Sequence, residues 1–345
     1  MKSDSDIKEL LAKSLNPGNI PAKLMAYYFY LKELKRIKKH RKNFFAFATT
    51  SDELDQLAEL IEKMIIYADK DLRFQLAVSK WDGSEFLNHW SFLEFQFKAG
   101  TTDTPSALDI LICDPLGFNQ SLVLANFISS KLELGYLSKL CTLKVFIPTD
   151  TLQIKGRVCA YFVTDNISML SNQDDYCSVY DYMTTHPQEE KKREAVTILN
   201  KFRDAFAGCY LEDELDAIYN FEVVIGAFPV RLLRSKHSVP DLEKEVRDSE
   251  DLRNVIVNRK GESAWASINK NLFFVLDREG LQEKRNFRVN KKMEKLEESA
   301  KEASSSLSSL EDAEVIREGI QRHLLSGLEE MILQSIQAAG ATYTH

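Results

Sequence analysis

Four residues between positions 89 and 159 carry the side chains that a thiol acyl-transfer reaction requires. Such a reaction needs a nucleophilic cysteine, a histidine that moves its proton, a carboxylate that orients the histidine and a donor for the oxyanion. In chain order the candidates are His89, Asp114, Gln153 and Cys159. The sequence predicts a catalytic triad of His89, Asp114 and Cys159, with Gln153 in the oxyanion hole.

Short segments of regular apolar spacing are predicted to position these side chains. His89 opens the predicted strand HWSFLEF, Asp114 ends the predicted strand SALDILICD, and Cys159 begins a predicted helix. We expect solvent to reach Cys159 there, and the positive end of the helix dipole to favour a thiolate. The alternative is that the three are unrelated core and turn residues, since single buried cysteines and histidines usually serve packing.

The whole chain predicts an α+β fold, with a mixed sheet flanked by helices. Helical spacing covers 6–14, 22–42, 51–68, 119–134, 180–221, 291–303 and 311–339. Strand patterns cover 73–81, 89–97, 106–114 and 140–148, and a few short strands are predicted within 221–233 and 252–268. The order of helix, several strands, helix, strand and helix is typical of an α+β core.

Changes in pattern along the chain predict four regions. They are N-terminal helices at 1–50, a catalytic core at 51–178, an accessory and regulatory region at 179–300 that completes the fold, and a serine-rich break and helix at 301–345. The basic run LKELKRIKKHRK lies at the end of the second helix. Such charge runs are usually solvated helix surface, although a phosphate-binding face is the alternative.

Composition excludes several other classes of protein. The net charge of −7 argues against nucleic acid as a partner, because nucleic-acid-binding domains are usually basic. The five cysteines form no CxxC pair, which fits neither a disulfide framework nor a metal site and favours a reducing cytosol. No apolar window is long enough for a transmembrane segment, and the N-terminus lacks the apolar core of a signal peptide.

The order and spacing of the candidate residues resemble the adenain-like clan of cysteine proteases, in which Gln precedes Cys as Q-x5-C. Within that clan the sequence resembles the YopJ family of bacterial effector acetyltransferases. DPLGFNQ is similar to the loop that carries the family's acidic residue, and DTLQIKGRVCAYFVTDNISML is similar to its Gln-Cys segment. PVRLLRSKHS, NVIVNRKGES and NFRVNKKMEKLEE resemble, in order, its regulatory region. The resemblance extends from about residue 54 to residue 300 and implies a virulence effector secreted into a host cell by a specialised bacterial secretion system.

The first interpretation within this clan is a thiol isopeptidase, a deubiquitinase-like hydrolase that needs no cofactor. The HWS motif resembles the Ulp/SENP proteases, in which the tryptophan at the position of Trp90 lines a tunnel for a Gly-Gly tail. Ubiquitin or ubiquitin-like conjugates of host proteins would then be the partners. Val239 and Ser267 stand where the YopJ family usually has Gln and Arg, which favours this interpretation.

The alternative is a YopJ-type Ser, Thr or Lys acetyltransferase that uses acetyl-coenzyme A and is activated by inositol hexakisphosphate (IP6). The resemblance implies a polyphosphate site in the matching segments, where convergent cations would be required. Its candidate residues are Lys236, His237, Arg288, Lys291 and Lys292, which would otherwise be solvent-facing charges. A third interpretation is a non-catalytic binding module of the same fold, because Ala160 follows the cysteine where the family usually has Gly or Ser.

Overall fold

A six-stranded mixed sheet forms the centre of the molecule, in the strand order β1-β2-β3-β4-β5-β6. The computed structural model describes residues 4–15, 18–40, 44–80, 89–153, 158–172, 177–205, 215–233, 239–257, 261–276, 282–306 and 310–340. The strands are β1 (Ala46–Thr50), β2 (Leu72–Lys80), β3 (His89–Lys98), β4 (Ala107–Cys113), β5 (Thr142–Pro148) and β6 (Glu222–Gly226). A separate antiparallel pair consists of β7 (Leu272–Leu276) and β8 (Gln282–Asn286).

The topology of the sheet brings the start of β3 and the end of β4 to the same edge. Strand β3 runs antiparallel to both β2 and β4, and Phe92 lies opposite Cys113 in the register. Strands β4, β5 and β6 are parallel, so their carboxyl ends lie along that edge as well. The residues that begin β3 and follow β4 and β5 therefore meet at one place, and these are the positions of His89, Asp114 and Gln153.

Helices cover both faces of the sheet. They are α1 (Asp4–Ala12), α2 (Ala22–Ile37), α3 (Leu54–Tyr67), α4 (Phe118–Lys131), α5 (Leu134–Leu137), α6 (Cys159–Leu170), α7 (Cys177–Thr185), α8 (Glu189–Ala205), α9 (Leu215–Tyr219), α10 (Val230–Leu233), α11 (Val239–Asp248), α12 (Glu250–Asn254), α13 (Ala264–Asn271), α14 (Phe287–Ser306), α15 (Leu310–Gln321) and α16 (Leu325–Gly340). Helices α2, α6, α7 and α14 share one apolar core with one face of the sheet, and α3, α4, α8 and α16 share another core with the opposite face. The prediction of an α+β fold is confirmed.

The outer edge of β1 is covered by the turn between α15 and α16. The backbone N–H of Ala48 donates to the carbonyl of His323 over 2.8 Å, and His323 Nδ1 donates to the carbonyl of Ala46 over 2.7 Å. The imidazole is buried among the rings of Phe29, Phe44 and Phe47. This cover satisfies backbone groups that an open edge strand would leave exposed.

Several of the predicted elements differ from those observed, among them the strands expected within 221–233, where β6 is followed by helix α10. The helix predicted at 311–339 is two helices, because residues 322–324 turn to pair with β1. Short strands were expected within 252–268, but of the residues described there 252–254 belong to α12, 264–268 belong to α13, and Ile256 pairs with Ser263 in an isolated bridge. The helix expected at 22–42 ends at Ile37. The division into four regions stays a prediction.

No helix among the described residues combines the length and the apolar character needed to cross a bilayer.

Candidate active site

His89 and Asp114 form a short hydrogen bond at the edge of the sheet. The distance from His89 Nε2 to Asp114 Oδ2 is 2.6 Å, and the side chains are 30% and 1% exposed. His89 is the first residue of β3 and Asp114 is the first residue after β4, so the antiparallel pairing of the two strands fixes their separation. A buried carboxylate bonded to one ring nitrogen orients the imidazole and selects its tautomer.

Three further hydrogen bonds fix Asp114. Ser91 Oγ donates to Asp114 Oδ2 over 2.8 Å, and the backbone N–H of Leu116 donates to Asp114 Oδ1 over 2.9 Å. The backbone N–H of Asp114 donates to Ser121 Oγ over 2.9 Å. Sequence reasoning missed both serines, although Ser91 could have been found from strand periodicity because it shares a strand face with His89.

Cys159 lies beside the histidine at the first turn of α6. The backbone N–H of Trp90 donates to Cys159 Sγ over 3.3 Å, which joins the start of β3 to the start of α6. His89, whose Nε2 is bonded to Asp114, also makes a hydrogen bond with the Cys159 side chain. The structure thus brings His89, Asp114 and Cys159 together. The cysteine was expected to be reachable by solvent, but it is only 5% exposed because α6 packs against the sheet.

The electrostatics of the site favour a charged histidine. Burial by itself lowers the pKa of His89, but the hydrogen bonds and negative charges of Asp114 and Cys159 outweigh it and raise the pKa to about 10. The imidazolium can then donate from both ring nitrogens at neutral pH. This arrangement is suited to holding a thiolate and to returning a proton to a leaving group.

Two other cysteines in the described region are held as neutral thiols. Burial raises the pKa of Cys113 well above its usual range, and Asp114 and Asp150 add to the shift. Burial, with a contribution from Asp109, raises the pKa of Cys141 to about 11. Neither thiol is therefore suited to nucleophilic attack at neutral pH, because the thiolate is the reactive form.

Gln153 lies in the loop that follows β5, tied to the loop that follows Asp114. Its backbone N–H donates to the carbonyl of Pro115 over 2.7 Å, and the N–H of Leu152 donates to the same oxygen over 2.9 Å. The Gln153 side chain is buried. The candidate oxyanion donor thus belongs to the same loop cluster as the acid of the predicted triad, and its role stays a prediction.

Trp90 is buried completely, in contrast to the half-open position that a substrate tunnel requires. Its exposed fraction is 0%, and its indole N–H donates to the carbonyl of Ile20 over 2.9 Å. The ring therefore ties the residues before α2 to β3 and presents no surface to a Gly-Gly tail in this structure. Ala160 is buried as well, so the residue after the cysteine belongs to the core.

The predicted polyphosphate residues lie at the limits of what the structure describes. Lys236 and His237 fall outside the described residues. Arg288, Lys291 and Lys292 lie in the first two turns of α14, where the backbone is described and the side chains are not. Their grouping around one ligand therefore stays a prediction.

Comparison with known proteins identifies the fold. No protein-family model matches the sequence, and no curated protein matches it. Among solved structures, AvrA with a deletion of Leu at its position 154, bound to IP6 and CoA, is similar with a TM-score of 0.51 and 13% identity over 87% of this chain and 99% of that chain. HopZ1a in complex with IP6 and CoA is similar with a TM-score of 0.50 and 11% identity over 88% of this chain and 94% of that chain. Both are YopJ-family effectors, and the chain has their fold.

This comparison corrects the first interpretation of the sequence. An isopeptidase without a cofactor was expected, but the solved structures that share the fold hold CoA and IP6. The expectation of no cofactor was therefore wrong, and nothing in the likeness supports ubiquitin conjugates as partners. A cysteine nucleophile that transfers an acyl group is consistent with both the fold and the geometry of the site.

Proposed function

We propose that the chain is a YopJ-type acetyltransferase in which Cys159 accepts an acetyl group from acetyl-CoA and passes it to a Ser, Thr or Lys of a host protein. The observation that carries the proposal is the partly buried hydrogen bond between His89 and Asp114 beside the sulfur of Cys159. The ligands of the two effectors that share the fold favour acetyl-CoA over a ubiquitin conjugate as the acyl donor.

In the first half-reaction, the Cys159 thiolate attacks the carbonyl carbon of the thioester and the new S–C bond forms. The carbonyl oxygen becomes an oxyanion, to which the amide of Gln153 donates a hydrogen bond. When the tetrahedral intermediate collapses, its bond to the sulfur of CoA breaks. Protonated His89 gives its proton to the departing thiolate, so that free CoA thiol leaves and acetyl-Cys159 remains.

In the second half-reaction, neutral His89 takes a proton from the acceptor hydroxyl or amine as that group attacks acetyl-Cys159. The acceptor gains the acetyl group, Cys159 leaves as a thiolate and His89 is protonated again. Asp114 keeps the imidazole oriented in both halves and stabilises the imidazolium, without taking up a proton itself. Its bonds to Ser91 and Leu116 leave the carboxylate little freedom to turn away.

The proposal includes IP6 as an activating ligand, because the chemistry of the candidate residues fits a polyanion. Arg288, Lys291 and Lys292 stand at positions i, i+3 and i+4 of α14 and so share one helix face. Guanidinium and ammonium groups are the usual partners of phosphate oxygens, and Lys236 and His237 would add two more donors. When bound, IP6 would supply a dense negative charge that orders these segments.

A transfer assay tests the proposed function. The protein is incubated with radiolabelled acetyl-CoA, with and without IP6, and with a mixture of host-cell proteins as acceptors. Labelled acceptor proteins are expected from the wild type with IP6 and are expected to disappear in Cys159→Ala. A matched Cys141→Ala variant, which changes another buried thiol, should retain the activity. Reaction of the wild type with an electrophilic ubiquitin probe, without any acetyl transfer, would support the isopeptidase instead. Reaction with neither reagent would favour the non-catalytic module.

A further inference from the structure

Two arginines from different elements bind the carboxyl end of α6, the helix that begins with Cys159. Arg36, in the last turn of α2, donates to Ser171 Oγ over 2.6 Å and to the carbonyls of Ser168 and Ser171 over 3.4 Å. Arg73, in β2, donates to the carbonyl of Leu170 over 2.6 Å. Carbonyls at the end of a helix have no partner within the helix and carry its negative partial charge, so both guanidinium groups complement them.

Arg36 is buried at this end of α6, although it belongs to a basic run of a kind that is usually exposed to solvent. It is 7% exposed, and its guanidinium lies 4.4 Å from the centre of the Phe44 ring. Other described residues of the run, such as Lys38 and Lys39, are exposed as expected. A guanidinium that is packed on a ring and hydrogen-bonded to the helix end leaves its partners there little room to shift.

The buried carboxylate of Glu94 also binds the guanidinium of Arg73. Its Nε donates to Glu94 Oε1 over 2.8 Å, and Gln75 Nε2 donates to the same oxygen over 2.8 Å. Glu94 is 0% exposed and lies directly opposite Gln75 in the pairing of β2 with β3. The sheet therefore carries a buried charged network on the face that α6 covers. Apolar side chains at these positions would stabilise the fold without the desolvation of charged groups.

The position of a nucleophile depends on both ends of its helix. Helix α6 runs from Cys159 to Leu170, a length of about 18 Å at 1.5 Å per residue, and its start is joined to β3 by the bond from Trp90 N–H to the sulfur. A catalytic group must be held to within about 0.5 Å of its productive place. Because a helix of this length moves as a rigid body, a shift at Leu170 displaces Cys159 relative to His89.

We propose that Arg36 and Arg73 are positioning residues for the Cys159 nucleophile, which act by clamping the carboxyl end of α6. This inference rests on the proposed function for its link to acetyl transfer, but its first test does not. This clamp, formed by Arg36 and Arg73, fixes the position of the Cys159 sulfur relative to His89 and the Trp90 N–H. It therefore determines the reactivity of the sulfur. The guanidinium shape is required, because the ammonium group of a lysine cannot span the same acceptors.

The experiment measures alkylation of Cys159 by iodoacetamide from about pH 6 to pH 9, with peptide mass spectrometry to assign the site. The variants are Arg36→Lys and Arg73→Lys, with Arg247→Lys as the matched control at an exposed arginine. The readout is the alkylation rate at low pH divided by the rate at high pH. A change in the access of iodoacetamide to Cys159 alters both rates by the same factor, so it does not change this ratio. We expect this ratio to fall about tenfold in both variants, as a displaced thiol loses its contact with His89, and to stay unchanged in the control.

A pH ratio that stays at the wild-type value in both variants, even with a lowered melting temperature, would overturn the proposal and leave a structural role alone. If Arg36→Lys does not fold, Ser171→Ala replaces it, since it removes the acceptor of the 2.6 Å bond and leaves only the two 3.4 Å contacts to carbonyls. If Arg73→Lys does not fold, Glu94→Gln replaces it, since it removes the carboxylate that binds Arg73 Nε. An unchanged ratio in the replacement would overturn the role of the corresponding arginine. In acetyl transfer, kcat should fall in the lysine variants and KM should not change. A wild type without acetyl transfer would refute the proposed function but would leave the alkylation test intact.

Discussion

The imidazole of His89 is bonded through Nε2 to Asp114 Oδ2 over 2.6 Å and also makes a hydrogen bond with the side chain of Cys159. The pairing of β3 with β4 sets this relationship, because His89 begins one strand and Asp114 follows the other. We therefore expect a substitution that weakens the bond between His89 and Asp114 to change the charge of the imidazole more than it changes the stability of the fold.

Asp114→Asn is expected to lower the pKa of His89 from about 10, because both the hydrogen bond and the charge of the carboxylate hold it high. Acetyl transfer should fall by about a hundredfold or more without vanishing, since the orientation of the ring is impaired and the nucleophile remains. An NMR titration of the His89 ring measures the pKa. Asp103→Asn, in an exposed loop, is the control. A His89 pKa that stays near 10 in Asp114→Asn would refute the role given to the carboxylate.

Glu94→Gln is expected to remove a pH dependence of stability. Burial raises the pKa of Glu94 from 4.5 to about 6 in spite of Arg73 and Gln75, so the folded state binds a proton more tightly than the unfolded state does. The stability from this group is present below pH 4.5 and is lost as the pH rises through about 6, a change on the order of 2 kcal/mol. Urea unfolding at both ends of this window tests it. An identical pH slope in wild type and Glu94→Gln would count against the shift.

Gly117→Ala is expected to disturb the loop behind Asp114. Gly117 has a φ of 107°, which side chains rarely adopt, and a Cβ there would overlap Thr151 Oγ1. We expect a loss of activity with a lower melting temperature, and a partial rescue of both by Thr151→Ala in the same chain. Gly135→Ala is the matched control, because its Cβ would meet an ordinary contact with the carbonyl of Tyr219. Wild-type activity in Gly117→Ala would show that the loop does not need this conformation.

His323→Ala is expected to lower the free energy of unfolding by roughly 3 kcal/mol, because it removes the bond to the carbonyl of Ala46 and leaves a cavity among three phenylalanine rings. Chemical denaturation measures this change. The exposed His186, which stacks on Tyr182 at the surface, offers a control substitution to alanine, for which a loss below about 1 kcal/mol is expected. A loss as small as that of the control would mean that the cover on β1 adds little to stability.

The meeting of His89, Asp114 and Cys159 at one place was predictable from the sequence because the three residues stand at the ends of strongly patterned elements, and their catalytic roles stay a prediction. His89 and Asp114 are at strand limits that period-two alternation reveals, and the spacing from Gln153 to Cys159 is a local signal. The buried state of Trp90 was not predictable in the same way, since it depends on the carbonyl of Ile20, which lies 70 positions away in the chain. A half-buried and a fully buried tryptophan leave the same pattern in the sequence.

Long-range contacts also explain the elements that the sequence did not reveal. Strand β1 is only five residues long and contains small side chains, so its pattern is weak. The break before α16 lies inside an unbroken apolar repeat through Ile320, Leu324 and Leu328, and it exists because Leu324 bridges to Ala48 of β1. The clamp of Arg36 and Arg73 on α6 has no local signal either, since three separate elements build it.

Acetylation of Cys159 itself can be measured by peptide mass spectrometry after brief incubation with acetyl-CoA and IP6 in the absence of an acceptor protein. We expect one added acetyl group on the peptide that contains Cys159, lost on later addition of an acceptor and strongly reduced in His89→Ala. An unmodified Cys159, together with a Cys159→Ala variant that transfers acetyl groups as fast as the wild type, would contradict the role of Cys159 as the nucleophile.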